Sequence, residues 1–478
     1  MSSDSSKVLW ILTGVSIALL IYEAWTLGTQ VLLPLLGNAN VLQTDFHYYY
    51  DAAIRFRGDP SRLYLPTDDV IAGFAYPPPA IVPFVWLSHL SLGTGMLMLT
   101  LSSYALVAAS MAFWLRYLNR RGVPISAGDA IASSLVAIAL GPTYSNAIFG
   151  QVNAWMLACA VIFMTIGPAR PAVGGVFLAI GAWLKIYPVL MVAAGLWNRS
   201  AWRRIAYAAA ATVIIAILLL PIVPLSSYQT FWHEVLPARF DKTAVHISNQ
   251  SLIAFLERFT LPADRFLHWT GEQAVTVSAL KRGLNWGFGI AVVAFLWHRA
   301  VRGPRVEAVD SAAGLIALAA VIAPLGWGHT YVLVLPLVVL HLVTLRYATT
   351  PHAGLVCASV AALMIPAGRH FPFVEVLPVA LQNVAYSRYL LATVILIALP
   401  VHPTTQSPRR GDPGPAVAPI LNPGDLHHEN RRLASDRVVC RRDRVSCRRA
   451  DQGARPDLGG HGRGCRNGHR RSTWADGF

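Results

Sequence analysis

Charged side chains are scarce in this chain. Asp, Glu, Lys and Arg make up 13% of its 478 residues, about half the roughly 25% of an ordinary soluble domain. That excludes a soluble globule of this length, and the mean hydropathy of +0.48 agrees. Cysteine is sparse too, with five residues. Cys159 and Cys357 lie in apolar stretches, and Cys440, Cys447 and Cys465 lie late in the chain at spacings that fit no zinc pattern. No disulfide framework, metal site or cofactor is implied. The first apolar run, from Val8 to Leu36, is too long for a signal h-region and lacks an A-x-A cleavage site, so it reads as a retained span. No internal repeat is found, which argues against an inverted-repeat transporter.

What the chain has instead is apolar runs. They fall at roughly 9–33, 94–116, 127–143, 151–167, 205–224, 282–298, 311–325, 330–346, 352–366 and 384–402, most of them close to the ~20 residues that cross a bilayer. The reading is an all-α integral membrane protein, a polytopic bundle of about 10–12 helices, some broken or re-entrant. Two segments suggest the breaks. Roughly 172–184 and 187–197 are each too short to cross, and they bring Lys185 to Pro188 to the turn between them. The stretch 77–92 reads as a partial helix.

Basic loops set the orientation, because short Lys- and Arg-rich loops stay cytoplasmic. Arg116, Arg120 and Arg121 form one, Arg199, Arg203 and Arg204 a second, His298, Arg299, Arg302 and Arg305 a third, and Arg346 marks a fourth. The opposite loops, facing a periplasm or lumen, then hold Asp45, the segment Gly141 to Gln151, the segment Ser226 to Lys281, and the Trp327–Tyr331 turn. Residues 1–402 form the membrane domain. Residues 403–478 carry roughly fifteen Arg and no Lys and read as a disordered basic cytoplasmic tail. That tail fits contact with anionic lipid. Nothing else in the chain supports nucleic-acid binding.

The outward segments carry the chemistry. Thr44-Asp45-Phe46-His47 with Tyr48, Tyr49, Tyr50 and Asp51 follows the first span. Next come Phe74 to Phe84 with its Tyr-Pro-Pro-Pro run, Phe149 to Asn153 (FGQVN), Leu184 to Pro188 (LKIYP), Ser248 to Leu252 (SNQSL), and Ala323 to Pro336 around His329. Polar groups beside apolar helix are costly and usually line a pathway or site. A carboxylate at the membrane surface can take the proton of a sugar hydroxyl while a lipid-anchored donor stays in the bilayer. Asp45 is the candidate base; the alternative is an N-cap. Lys185, His329, Tyr48, Tyr49, Gln151, Asn153, Asn249 and Gln250 are the candidate donor- and acceptor-binding residues. For Gln151 and Asn153 the alternative is capping the next helix, and for the tyrosines an interfacial aromatic belt. Arg239 and Arg258 are among further cations able to face a phosphate.

Taken together, the D-F-x-x-Y-Y, G-D-P-x-x-x-Y, Y-P-P-P, G-Q-V-N, L-K-x-Y-P, N-Q-S and W-x-H segments resemble those of glycosyltransferase family 87, of the GT-C superfamily, over roughly residues 8–402. Thr330 stands where the family often shows a second histidine. The resemblance implies an inverting hexosyl transfer, mannosyl above all, from a polyprenyl-phosphate-linked sugar to a glycolipid or glycan acceptor. It also implies an outward-facing site with Asp45 as base, in a bacterial plasma membrane. An arabinofuranosyltransferase of the same family and a glycolipid flippase are the alternatives.

Overall fold

The computed structural model describes residues 3–36, 44–64, 73–268, 273–303 and 305–401. Contacts divide the chain into Met1–Thr405 and Gln406–Phe478. The second unit, and with it the basic tail expected from 403 onward, lies outside the described residues.

The described chain is almost wholly helical. Four helices are long and apolar enough to cross a membrane: Lys7–Leu32, Leu92–Arg120, Arg199–Leu219 and Ala279–Arg302. At about 1.5 Å per residue, even the shortest of them matches the roughly 30 Å of hydrocarbon. Two bent pairs are long and apolar enough only when taken together, each a broken span or a re-entrant loop: Ala127–Ile138 with Gly141–Ile148 at 48° and Val379–Tyr386 with Arg388–Ala398 at 61°. Six apolar helices are shorter, among them Pro78–Leu87, Asn153–Thr165, Pro171–Leu184 and Tyr187–Leu196. Large apolar side chains on the long helices point away from the protein; Leu218 and Ile290 are each 69% exposed. On spans of this length such faces meet lipid. This is a helical membrane protein.

Every apolar run read from the sequence contains helix among the described residues, and the two half-helices around Lys185 are there as expected. One expectation needs correcting. Gly141 to Gln151, read as an outer loop, is largely the helix Gly141–Ile148, the second limb of a bent pair. Pro142 lies in its first turn, where a missing N–H costs nothing. The segment from Ser226 to Lys281 contains short helices and a two-stranded antiparallel ribbon, with Lys242 opposite Thr276 and Ala244 opposite Ala274.

Three packing features fix the site. The helix Asp45–Gly58 buries Phe46, Tyr49, Ala52, Ala53 and Phe56. That spacing is one face of a 3.6-residue period. This face packs into an apolar cluster with Ile81, Phe84 and Met96. The backbone N–H of Phe46 donates to the Phe149 carbonyl at 3.1 Å, tying the start of that helix to the turn before Gln151. Gly150 makes the turn, at φ +64. A Cβ there would lie 2.6 Å from Met96 Sδ and 2.7 Å from Phe46 Cβ, so only glycine fits. Finally, Pro188 ends the helix Pro171–Leu184. Its ring would clash with the Leu184 carbonyl four residues earlier, and Lys185 is extended at φ −154, ψ 142.

Candidate active site

Thr44 occupies the N-cap position of the helix that begins at Asp45. Its backbone N–H donates to His47 Nδ1 at 3.2 Å, and its hydroxyl lies 3.0 Å from the same nitrogen. Capping is therefore done by Thr44 and His47, and the Asp45 carboxyl is left for other partners. It accepts a hydrogen bond from the side-chain amide of Gln151 through Oδ2.

Gln151 is the centre of the cluster. Its Oε1 accepts from Lys185 Nζ at 3.1 Å and from the Tyr76 hydroxyl at 3.0 Å. Tyr76 also hydrogen-bonds the Tyr49 hydroxyl. Lys185 donates to Asn153 Oδ1 at 2.8 Å. Asn153 is held in turn by Asn146, whose Oδ1 accepts from both its backbone N–H and its Nδ2 at 3.2 Å. The ammonium sits 5.1 Å from the Tyr76 ring centre and 5.8 Å from that of Tyr187, within cation–π range. Gln151, Asn153, Lys185 and Asn146 are all buried. Val152, not Gln151 or Asn153, stands at the N-cap position of the helix Asn153–Thr165.

The electrostatics follow from burial. Desolvation pushes the Asp45 acid up from the ordinary carboxylate range, opposed by the Gln151 hydrogen bond and by the charges of Lys185 and Arg239. Burial brings the Lys185 ammonium down to about 7, opposed by Asp45 and assisted by the half-buried Arg239. Arg239, on the short helix Leu236–Asp241, therefore belongs to the electrostatics of the cluster.

His329 lies at the start of the 3₁₀ segment Gly328–Val334. It is buried, with its ring 6.0 Å from Phe149 in an edge-on arrangement. It interacts electrostatically with Lys185. Its Nε2 has no hydrogen-bond partner among the described residues. A buried imidazole nitrogen without a partner beside a cation is suited to an anionic ligand.

Asp45, Gln151, Asn153, Lys185 and Tyr49 thus come together, with His329 at the edge. Asn249 and Gln250 do not join them. Asn249 Nδ2 donates to the Ala244 carbonyl at 2.8 Å and to Thr243 Oγ1 at 3.2 Å. Gln250 donates to the Tyr386 carbonyl at 2.7 Å, and its Oε1 accepts from the Tyr389 N–H at 3.0 Å. These amides satisfy buried backbone. Arg258 is likewise buried, on Asn383 Oδ1 at 2.7 Å, Ser387 Oγ at 2.8 Å and the Asn249 carbonyl at 2.8 Å. Tyr48 is half-buried at the edge of the apolar cluster; Tyr49, one residue on, is the tyrosine in the hydrogen-bond network. Sequence reasoning missed Tyr76 and Asn146. Tyr76 was hidden by its own motif, because the three prolines after it account for the run by chain direction alone.

A helical membrane protein that gathers a carboxylate, a buried ammonium, amides and phenols in one cluster has the parts a membrane transferase needs. Residues 74–319 match glycosyltransferase family 87. That is about half of the chain, and the chain belongs to this family. The matched stretch contains Tyr76, Gln151, Asn153 and Lys185, while Asp45 and His329 lie outside it. The chain is also 28% identical over 357 residues to the polyprenol-phosphate-mannose-dependent alpha-(1-2)-phosphatidylinositol mannoside mannosyltransferase of Mycobacterium tuberculosis, covering 69% of this chain and 74% of that one. The protein is a membrane glycosyltransferase.

Proposed function

We propose that this enzyme transfers a mannosyl unit from a polyprenyl-phosphate-linked donor to a hydroxyl of a glycolipid or glycan, with inversion. Asp45 is the base, and the site faces the periplasm from a bacterial plasma membrane. The observation that carries this reading is the Asp45–Gln151–Lys185 arrangement. It sets a carboxylate made more basic by burial one amide away from a buried ammonium. The mycobacterial relative's dependence on polyprenol-phosphate-mannose supports the donor.

The chemistry needs two separated functions. Asp45 takes the proton of the acceptor hydroxyl, and that oxygen attacks the anomeric carbon on the face opposite the phosphate. The bond from the anomeric carbon to the phosphate oxygen breaks, and its electron pair leaves on the phosphate. A phosphate needs no strong acid to leave, only positive charge and donors beside it. Lys185, Arg239 and the open nitrogen of His329 are the groups that supply them. The donor chain remains in lipid or between helices.

The test is direct. Membranes holding the enzyme are given radiolabelled polyprenyl-phosphomannose and, separately, polyprenyl-phosphoarabinose, and the label is followed into acceptor. Mannose should move. Transfer of arabinose alone would assign the arabinofuranosyl reading. Asp45→Asn keeps size and hydrogen bonding but removes basicity, and should lower transfer at least about 100-fold, the scale of a positioned base. Near-wild-type turnover in that variant would falsify the assignment of Asp45.

A further inference from the structure

We infer that Gln151 is a spacer: it keeps Asp45 and Lys185 from pairing directly, so that the carboxylate stays free to act as a base. The inference rests on the reading of Asp45 as that base.

Opposite charges buried side by side pair by default, and a carboxylate that pairs with an ammonium falls by about 1–3 pH units. Such a group is a poor base at neutral pH. Among the described residues no direct ion pair joins Asp45 to Lys185; the Gln151 amide stands between them. Its orientation is forced. Oε1 receives both the Lys185 ammonium at 3.1 Å and the Tyr76 hydroxyl at 3.0 Å. A flipped amide would set its N–H groups against the Lys185 ammonium and its oxygen against the Asp45 carboxylate. The amide nitrogen must therefore face Asp45, where it holds one carboxylate oxygen, Oδ2.

The spacer is anchored on both sides. The Gln151 backbone N–H donates to the Asn146 carbonyl at 2.9 Å, and the Phe46–Phe149 backbone bond fixes the helix start one residue after Asp45. Lys185 is held away by a second acceptor, Asn153 Oδ1 at 2.8 Å, which Asn146 in turn secures. The other charged and titratable groups around the pair are Arg239, Tyr49 and Tyr76 toward Asp45, and Arg239, Tyr187 and His329 toward Lys185. Among the described residues no carboxylate other than Asp45 is one of these groups, so Asp45 is the anionic partner they offer Lys185.

Gln151 is thus a positioning residue, and two substitutions move its effect in opposite directions. Gln151→Ser removes the spacer and opens the way for the ammonium to reach the carboxylate. The acid limb of the kcat pH profile should move down by about one unit, and kcat at neutral pH should fall by up to about tenfold, with the donor KM little changed. Gln151→Met keeps the spacer volume but removes the N–H donor to Asp45, so the acid limb should move up. Lys185→Gln added to Gln151→Ser should return the limb toward its starting place.

Thermal melts establish that each variant is folded. If the Ser variant does not fold, the Met variant decides alone. Limbs that move together, or a Met limb that stays in place or falls, would overturn the spacer. The Asp45→Asn result separates the two ideas: turnover there removes the base reading, whereas an inactive Asp45→Asn with unmoved Gln151 limbs removes only the spacer.

Discussion

The ammonium of Lys185 donates to the side-chain oxygen of Asn153 at 2.8 Å, and that amide is itself held by Asn146. A buried cation here rests on neutral amides, with its nearest carboxylate one side chain further off. Neutral partners balance its desolvation only in part, so burial leaves the ammonium at about 7.

A pH dependence follows. If charged Lys185 receives the departing phosphate, kcat/KM should fall on the alkaline side with a limb near 7, since that ratio reports the free enzyme. Lys185→Arg stays protonated at any working pH and should flatten this limb, even where the maximum is lower. Lys185→Met should lower kcat/KM about 100-fold or more, the scale for losing one preorganised donor. Stability carries its own sign. The folded value lies below the unfolded one, near 10.4, so between about pH 7 and 10 the unfolded chain binds the extra proton. Lys185 thus adds stability as pH rises through that window, and thermal melts of Lys185→Met should lose that part of the rise.

Gly150 is the most exacting backbone position of the site. Gly150→Ala places a methyl group 2.6 Å from Met96 Sδ and 2.7 Å from Phe46 Cβ, at φ +64. The left-handed backbone alone costs about 1–2 kcal/mol, and the clash displaces the turn that carries Gln151 toward Asp45. A lower melting temperature with at least about tenfold less transfer is expected, since small displacements of a positioned group are costly. Gly283→Ala is the control. It lies in the helix Ala279–Arg302 with nothing within 4 Å of the added carbon, and it should hold or slightly raise stability.

Much of this was legible beforehand, for physical reasons. Apolar length and the turn-forming force of Pro188 are local, so the helices and the break that exposes Lys185 could be read from the residues. Asp45 stood out because a carboxylate after a membrane span is expensive. Partner choice is not local. Gln151 and Gln250 are both buried amides after a turn, yet one meets Lys185 and the other meets the carbonyl of Tyr386, 136 positions away in sequence. Nothing in the motif separates them. The positive-inside signal mixes roles in the same way: Arg204 and Arg299, counted as loop charges, are buried on the Phe163 carbonyl and on Asp310.

That difference is testable at Gln250. Gln250→Leu strips partners from the Ile247 and Tyr386 carbonyls and from the Tyr389 N–H. Each buried group left unpaired costs about 1–3 kcal/mol. The melting temperature should drop, while the folded fraction keeps its donor KM and its pH profile. A variant that is thermally intact but has lost donor affinity would return Gln250 to the binding site.

The proposed orientation of the site rests on where the basic loops lie. Ser61 and Thr260 are exposed, in segments read as lying on the Asp45 side, and Arg120 is exposed in a loop read as cytoplasmic. In a background without Cys159, Cys357, Cys440, Cys447 and Cys465, Ser61→Cys and Thr260→Cys should each react with a membrane-impermeant maleimide added to intact cells. Arg120→Cys should react only after the membrane is opened. The proposed lipid-linked donor would carry its sugar on one face alone, so this assignment decides which leaflet must present it. Labelling of Arg120→Cys from outside, with Ser61→Cys protected, would reverse the topology. The base would then meet donor on the cytoplasmic leaflet, and the periplasmic reading of the reaction would be withdrawn even if Asp45 remained its base.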